Sequence, residues 1–165
     1  EELPLPQRIV RDLASDETMG SLASKIGQVA ADILPDTLIG YIGGRLTTQP
    51  QDDSQASYVG LVATADAKID WHQPAPEIER LVRAMQPAPG AWTNWHDQRL
   101  KIMAAAVSNQ GWLNPGKVGL IDGQLAIGSG QGALIIHRLQ LAGRQAVSAS
   151  EFLIGQADIL GEYLA

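Results

Sequence analysis

Trp92-Thr93-Asn94-Trp95-His96-Asp97-Gln98-Arg99-Leu100-Lys101-Ile102 is the stretch where the apolar period of this chain changes from about four to two. Trp92–Trp95 reads as a strand and His96-Asp97-Gln98 as its turn. The returning strand puts Leu100 and Ile102 on one side and Arg99, Lys101 and Met103 on the other, because side chains alternate across a strand. Toward the C-terminus the period of two persists. Asn114-Pro115-Gly116 is a turn, and 117–121 and 124–127 flank Asp122-Gly123, a strong hairpin signal. Gly128-Ser129-Gly130-Gln131-Gly132 is another turn, followed by a long strand over 133–141. Ser148 or Ser150 caps a short final helix through Phe152 and Leu153.

Toward the N-terminus the period is helical. Pro76 suits a first helical turn, Ile78, Leu81, Val82 and Met85 follow at helical steps, and Glu79 pairs with Arg83 one turn on. Pro87 and Pro89 close that helix. Lys68-Ile69-Asp70-Trp71 reads as an extended segment, and a short helix is expected over 57–64. Residues 46–56 are polar and unpatterned, which predicts a linker. Before it, Met19, Leu22, Ile26, Val29 and Ile33 form one helical stripe capped by Asp16 or Thr18. Pro35 is expected to end or kink that helix, with Leu38, Ile39 and Ile42 forming a second short turn stopped by Gly43-Gly44. The stripe needs a covering surface, so it should pack on the barrel, on another chain or in a dimer. The first dozen residues carry no clear period. Helices first, then about five short antiparallel strands, predict an α+β, mostly β fold: a small closed or nearly closed barrel after a helical segment.

Composition narrows the function classes. Of 165 residues, 45% are hydrophobic and 18% charged, enough to bury a core and too apolar for wholesale disorder. Without cysteine, disulfides and thiolate metal sites are excluded. No apolar run approaches a bilayer span, so a cytoplasmic protein without a membrane segment is expected. The net charge of −6 argues against nucleic acid, whose phosphates are bound through Lys and Arg. Its distribution argues back: 96–144 holds Arg99, Lys101, Lys117, Arg138 and Arg144 against only Asp97 and Asp122.

His72, His96 and His137 have no metal-ligand spacing, and no catalytic motif is present, so neither a catalytic nor a metal site is expected. His137 shares a strand face with Ile135 and Leu139 and is expected to be packed structurally or to sit at a barrel rim. The Gly128–Gly132 segment lacks a following Lys-Ser/Thr and precedes a strand, so it reads as a turn using glycine's positive φ rather than as a phosphate loop. Arg99 and Lys101 lie near Trp92, Trp95 and Trp112, the basic and aromatic mixture that RNA binding uses. On these residues alone the plainer reading outweighs it: rings in the core and cations for solubility.

The order Lys68-Ile69-Asp70-Trp71, Ile78-Glu79-Arg80-Leu81-Val82-Arg83-Ala84, Gln86-Pro87-Ala88-Pro89-Gly90-Ala91, Asn114-Pro115-Gly116, Gly128-Ser129-Gly130-Gln131-Gly132 and Gly143-Arg144-Gln145-Ala146-Val147-Ser148 resembles the C-terminal domain of methionyl-tRNA formyltransferases. Residues 17–52 are similar to the last helix of that family's N-terminal domain and its linker. The resemblance implies an organisation in three parts: 1–45, the tail of a Rossmann-like catalytic domain; 46–56, the linker; and 57–165, an OB-fold-like domain. It implies formyl transfer from 10-formyltetrahydrofolate to methionine on initiator tRNA. The family's catalytic Asn, His and Asp lie upstream and have no matching positions, so this chain alone should be inactive and hold no folate. What it implies here is weak contact with the tRNA backbone through Lys68, Arg80, Arg83, Arg99, Lys101, Lys117, Arg138 and Arg144, with Arg99 and Lys101 the best placed. Between its two prolines the family carries a bulky aromatic where this chain has Ala88. Related formyltetrahydrofolate hydrolases and sugar-nucleotide formyltransferases carry a similar domain, which there would be structural and bind no RNA.

Overall fold

The computed structural model describes residues 12–165 except 49, 51, 111 and 112. Trp112 therefore lies outside the described residues. The chain divides into two compact units, residues 1–61 and 62–165.

In the first unit, α1 (Met19–Ile42) starts where Thr18 Oγ1 accepts from the Ser21 amide and Ser21 answers the Thr18 amide, a reciprocal cap. Glu17, beside the cap, accepts from Lys25 at 2.6 Å and from the Ser21 hydroxyl, which hold its carboxyl below the usual range. Of the end or kink expected at Pro35, the end does not occur: α1 runs through it. A proline removes one amide donor, and here the helix absorbs the loss within its length, so Leu38, Ile39 and Ile42 extend the same helix. It ends at Gly43, and Leu46 folds back onto Gly40, whose carbonyl accepts from the Arg45 and Leu46 amides.

The second unit is a curled antiparallel sheet with two helices. Its elements are α2 (Ala75–Ala84), β1 (Trp92–Trp95), β2 (Gln98–Ser108), β3 (Val118–Ile121), β4 (Gln124–Gly128), β5 (Ala133–Leu141), β6 (Val147–Ser148) and α3 (Ala149–Gly155). The strand order is β1-β2-β5-β4-β3, with β6 on β5. Both edges of that path are closed by one segment. The Gly116 carbonyl accepts from Leu164, the Val118 amide donates to Glu162, and Asn94 and Ala165 exchange a mutual pair of bonds. Closure of this kind removes exposed strand edges. The small antiparallel barrel expected from the change of period is the fold observed.

Local chemistry sets the turns. The β3–β4 hairpin turns on Asp122 (φ 50°) and Gly123 (φ 75°), both left-handed, as a two-residue turn with matching twist requires. Ser148 caps α3 and exchanges hydrogen bonds with Glu151. The helix expected over 57–64 is absent. That stretch is exposed and irregular, with a 3-10 turn only at Thr64–Ala67: its apolar Tyr58, Leu61 and Val62 stay exposed, and without burial a short segment interrupted by Gly60 does not hold a helix.

The core collects Trp71, Ile78, Val82, Trp95, Leu100, Ile102, Leu125, Ile127, Leu134, Ile136, Leu139, Leu141 and Phe152. Inward positions on β5 are even at Leu134 and Ile136 and odd at Leu139 and Leu141. The register explains the change: Ile102 pairs with Leu139, Ala104 with Arg138 and Ala105 with Ile136, so Met103 and His137 each bulge out of the ladder. His137 is consequently exposed, so of the two expected placements, packed or at a barrel rim, the packed one does not occur. A simple alternation cannot register the extra residue.

The Gly128–Gly132 turn is a turn, but positive φ explains only Gly132 (φ 82°). Gly128 and Gly130 are small for another reason. A Cβ on Gly128 would lie 2.2 Å from the Asn114 carbonyl oxygen, and one on Gly130 would lie 1.9 Å from that of His72. The loop is wedged between backbones, with the Ser129 hydroxyl donating to the carbonyls of Gln131 and Gly132.

Candidate nucleic-acid interface

The eight candidate cations are all the Lys and Arg of residues 62–165, where nine Asp and Glu oppose them. The fold sorts them. Arg83 Nε donates to Glu79 at 2.6 Å and Arg80 reaches Glu77 at 4.0 Å, so the two α2 arginines face acids one turn away. Arg138 lies near Glu151, whose carboxyl is held low first by the Ser148 hydroxyl, then by the Ser148 amide and, less, by Arg138. Lys117, just before β3, has its ammonium 5.7 Å from the Tyr163 ring centre.

Lys68, Arg99 and Lys101 come together around Trp92. Trp92 faces Lys101 directly across the β1–β2 pair, and Asn94 faces Arg99, so all four side chains leave the same outer wall. The Arg99 guanidinium lies 4.2 Å from the Trp92 ring centre and the Lys68 ammonium 5.9 Å from it, both within cation–π reach. The ring is fixed from its other end: Trp92 Nε1–H donates to the Thr64 carbonyl at 2.7 Å, and the Trp92 carbonyl accepts from Ile69. Among the described residues, none of these three cations has a carboxylate within 4.0 Å. Beside Arg99 and Lys101 opens a cleft of about 170 Å³, completed by Gln140, Ala142 and Gly143 of β5 and its following turn. The Gln140 amide donates to the Arg144 carbonyl, which ties that turn to the cleft wall.

The tryptophans divide between the two readings their sequence allowed. Trp95 is buried against Phe152, and Trp71 is buried with its Nε1–H on the Thr93 hydroxyl. Trp92 alone of the described tryptophans stands on the outer wall with the cations. Gln140 and Gly143 were not legible as neighbours of Arg99, because only the β2–β5 register joins positions some forty residues apart. No three His, Asp or Glu among the described residues form a metal site, and no described helix is long and apolar enough to cross a membrane.

The family profile described as "Formyl transferase, C-terminal domain" matches residues 62–157. The methionyl-tRNA formyltransferase of Roseiflexus castenholzii is 38% identical over 162 residues, covering 97% of this chain and 51% of that protein. That of Corynebacterium jeikeium is 33% identical over 160 residues, covering 95% and 49%. The chain thus spans about half the length of the curated relatives it matches. Among solved structures, a variant of HypX from Aquifex aeolicus superposes with a TM-score of 0.68 at 18% identity, over 90% of this chain and 27% of that one. That likeness speaks to fold alone.

Proposed function

The chain belongs to the formyl transferase C-terminal domain family, and from that premise we propose that it is the C-terminal half of a cytoplasmic methionyl-tRNA formyltransferase whose barrel grips the backbone of initiator tRNA. In this reading residues 1–45 are the tail of the catalytic domain, 46–56 the linker and 57–165 the tRNA-contacting domain. Helix 17–43 docks through its apolar stripe on the rest of the enzyme or on a second copy. Formyl transfer from 10-formyltetrahydrofolate to the methionyl amine belongs to the catalytic domain of such an enzyme. The cleft beside Arg99 does not fit a folate: at about 170 Å³ it is below the size of a drug-sized pocket. No step of the chemistry is assigned to these residues.

One observation carries the proposal: Lys68, Arg99 and Lys101 gather around Trp92 without an acidic partner among the described residues, although acids outnumber bases in this half of the chain. Unpaired cations on an outer wall attract phosphates, and phosphate contact positions a nucleic acid without reading its sequence. The acids that neutralise Arg80 and Arg83 make α2 a poorer contact.

The test is binding to initiator tRNA across a salt series. Affinity should be micromolar or weaker and fall with salt, and Arg99→Ala or Lys101→Ala should each lower the salt slope by about one. A second reading has its own support in the near balance of charge over 62–165: the equivalent domain of a formyltetrahydrofolate hydrolase or sugar-nucleotide formyltransferase, structural and without RNA. Absence of tRNA binding at low salt would put that reading ahead.

A further inference from the structure

The two cations of the cleft are held in place by groups that carry no charge. Arg99 lies on the Trp92 ring at 4.2 Å, and that ring is anchored through Nε1 to the Thr64 carbonyl. Lys101 lies along Gly90: a Cβ there would sit 3.2 Å from Lys101 Cδ, so the lysine stem packs closely over the bare glycine backbone. The opposite wall is a bare turn. Gly143 has φ 75° and open space where a Cβ would stand, and Gln140, opposite Lys101 in the β2–β5 register, faces the same cleft. Among the described residues no carboxylate lines it.

We infer that this cleft is a prebuilt seat for one phosphate group, with Arg99 and Lys101 as its binding cations and Trp92 as the positioning residue that holds Arg99 ready. The inference deepens the tRNA reading and rests on it for its natural occupant, a backbone phosphodiester. The physical reason is preorganisation. A long cationic side chain loses rotamer freedom when it fixes a phosphate, and a ring that already confines it removes part of that loss. An arginine also keeps its N–H donors in the guanidinium plane, so stacking one face on a ring leaves the edge free for phosphate oxygens. Lys117 provides the internal contrast: it has its own aromatic neighbour, Tyr163, but does not line the cleft.

The experiment uses the whole chain and two probes, inorganic phosphate and initiator tRNA, followed by amide and indole NMR signals. Phosphate should move the Ala142 and Gly143 amides and the Trp92 indole N–H, and Arg99→Ala or Lys101→Ala should each weaken this response while leaving it measurable at higher phosphate. Trp92→Leu should weaken phosphate by roughly three- to tenfold, the worth of a cation–π contact, while Trp92→Phe keeps most of the affinity. In an Arg99→Ala background Trp92→Leu should add nothing, a non-additivity that a purely structural role would not produce. Each variant's melting curve shows whether it is folded. If phosphate leaves these signals still, or folded Trp92→Leu binds it as tightly as the parent, the seat as inferred is wrong. If phosphate moves them but tRNA does not, the seat stands and the tRNA reading falls.

Discussion

Replacing Gly130 by alanine separates a packing loop from a phosphate loop, and the structure gives the size of the effect. The added Cβ would lie 1.9 Å from the His72 carbonyl oxygen and 2.7 Å from its carbon, both backbone atoms. Relief to 3.0 Å requires about 1.1 Å of movement between two chain segments. Those segments are bonded to each other, Gly130 N–H to the Gln73 carbonyl at 3.0 Å and Ala75 N–H to the Gln131 carbonyl at 2.9 Å. Gly130 does not have the left-handed φ that penalises alanine, so the clash is the whole perturbation. Overpacking of this kind costs about 1–3 kcal/mol, and losing two hydrogen bonds about 0.5–1.5 kcal/mol each, giving roughly 2–6 kcal/mol together. For a domain near one hundred residues that lowers Tm by about 8 °C or more, and the upper end would consume much of a typical domain's stability. Thermal and guanidinium unfolding followed by tryptophan fluorescence would measure it, since Trp71 is buried next to His72. A Gly130→Ala protein melting within about 2 °C of the parent would refute the packing argument. Intact melting with lost phosphate binding would instead return the loop to the role that its sequence superficially suggests.

Gly123→Ala has open space around its Cβ but inherits φ 75°, so it should cost only about 1–2 kcal/mol, seen as a small fall in Tm with the fold unchanged. Leu134→Ala empties a fully buried core position and should cost about 2–5 kcal/mol by denaturant titration. Ser148→Ala removes the α3 cap and should cost about 1 kcal/mol at neutral pH. The same serine holds the Glu151 carboxyl below its ordinary value of 4.5, so the part of the cap made to the carboxylate is present above that pH and lost as pH falls through the lower folded value, while the Glu151 N–H to Ser148 hydroxyl bond persists. Stability curves of parent and Ser148→Ala proteins should therefore draw closer in acid, and parallel curves would contradict the linkage.

Much of this protein is written in local pattern. The switch from a period of four to a period of two around residue 92 identifies helix before barrel, because burial on one face of a helix or strand imposes that spacing wherever the partner lies. Asp122-Gly123 and Ser148 with Glu151 fix a turn and a cap through atoms within a few residues. Leu100 and Ile102 inward with Arg99 and Lys101 outward follow from alternation alone. The family was legible too, from short motifs in their order along the chain. The tertiary structure decided whatever depends on which strands meet. The paired bulges at Met103 and His137 turn β5's inward face over and leave His137 in solvent, and Gly130 is glycine because a backbone some sixty residues earlier passes against it. The same holds for the cations. Sequence offers eight similar charges, and helical spacing alone sets Arg80 and Arg83 near Glu77 and Glu79, but only packing joins Lys68, Arg99 and Lys101 on Trp92 with the turn after β5. Electrostatic and cation–π energies fall off within a few ångströms, so which charges act together is fixed by distances that no local pattern contains.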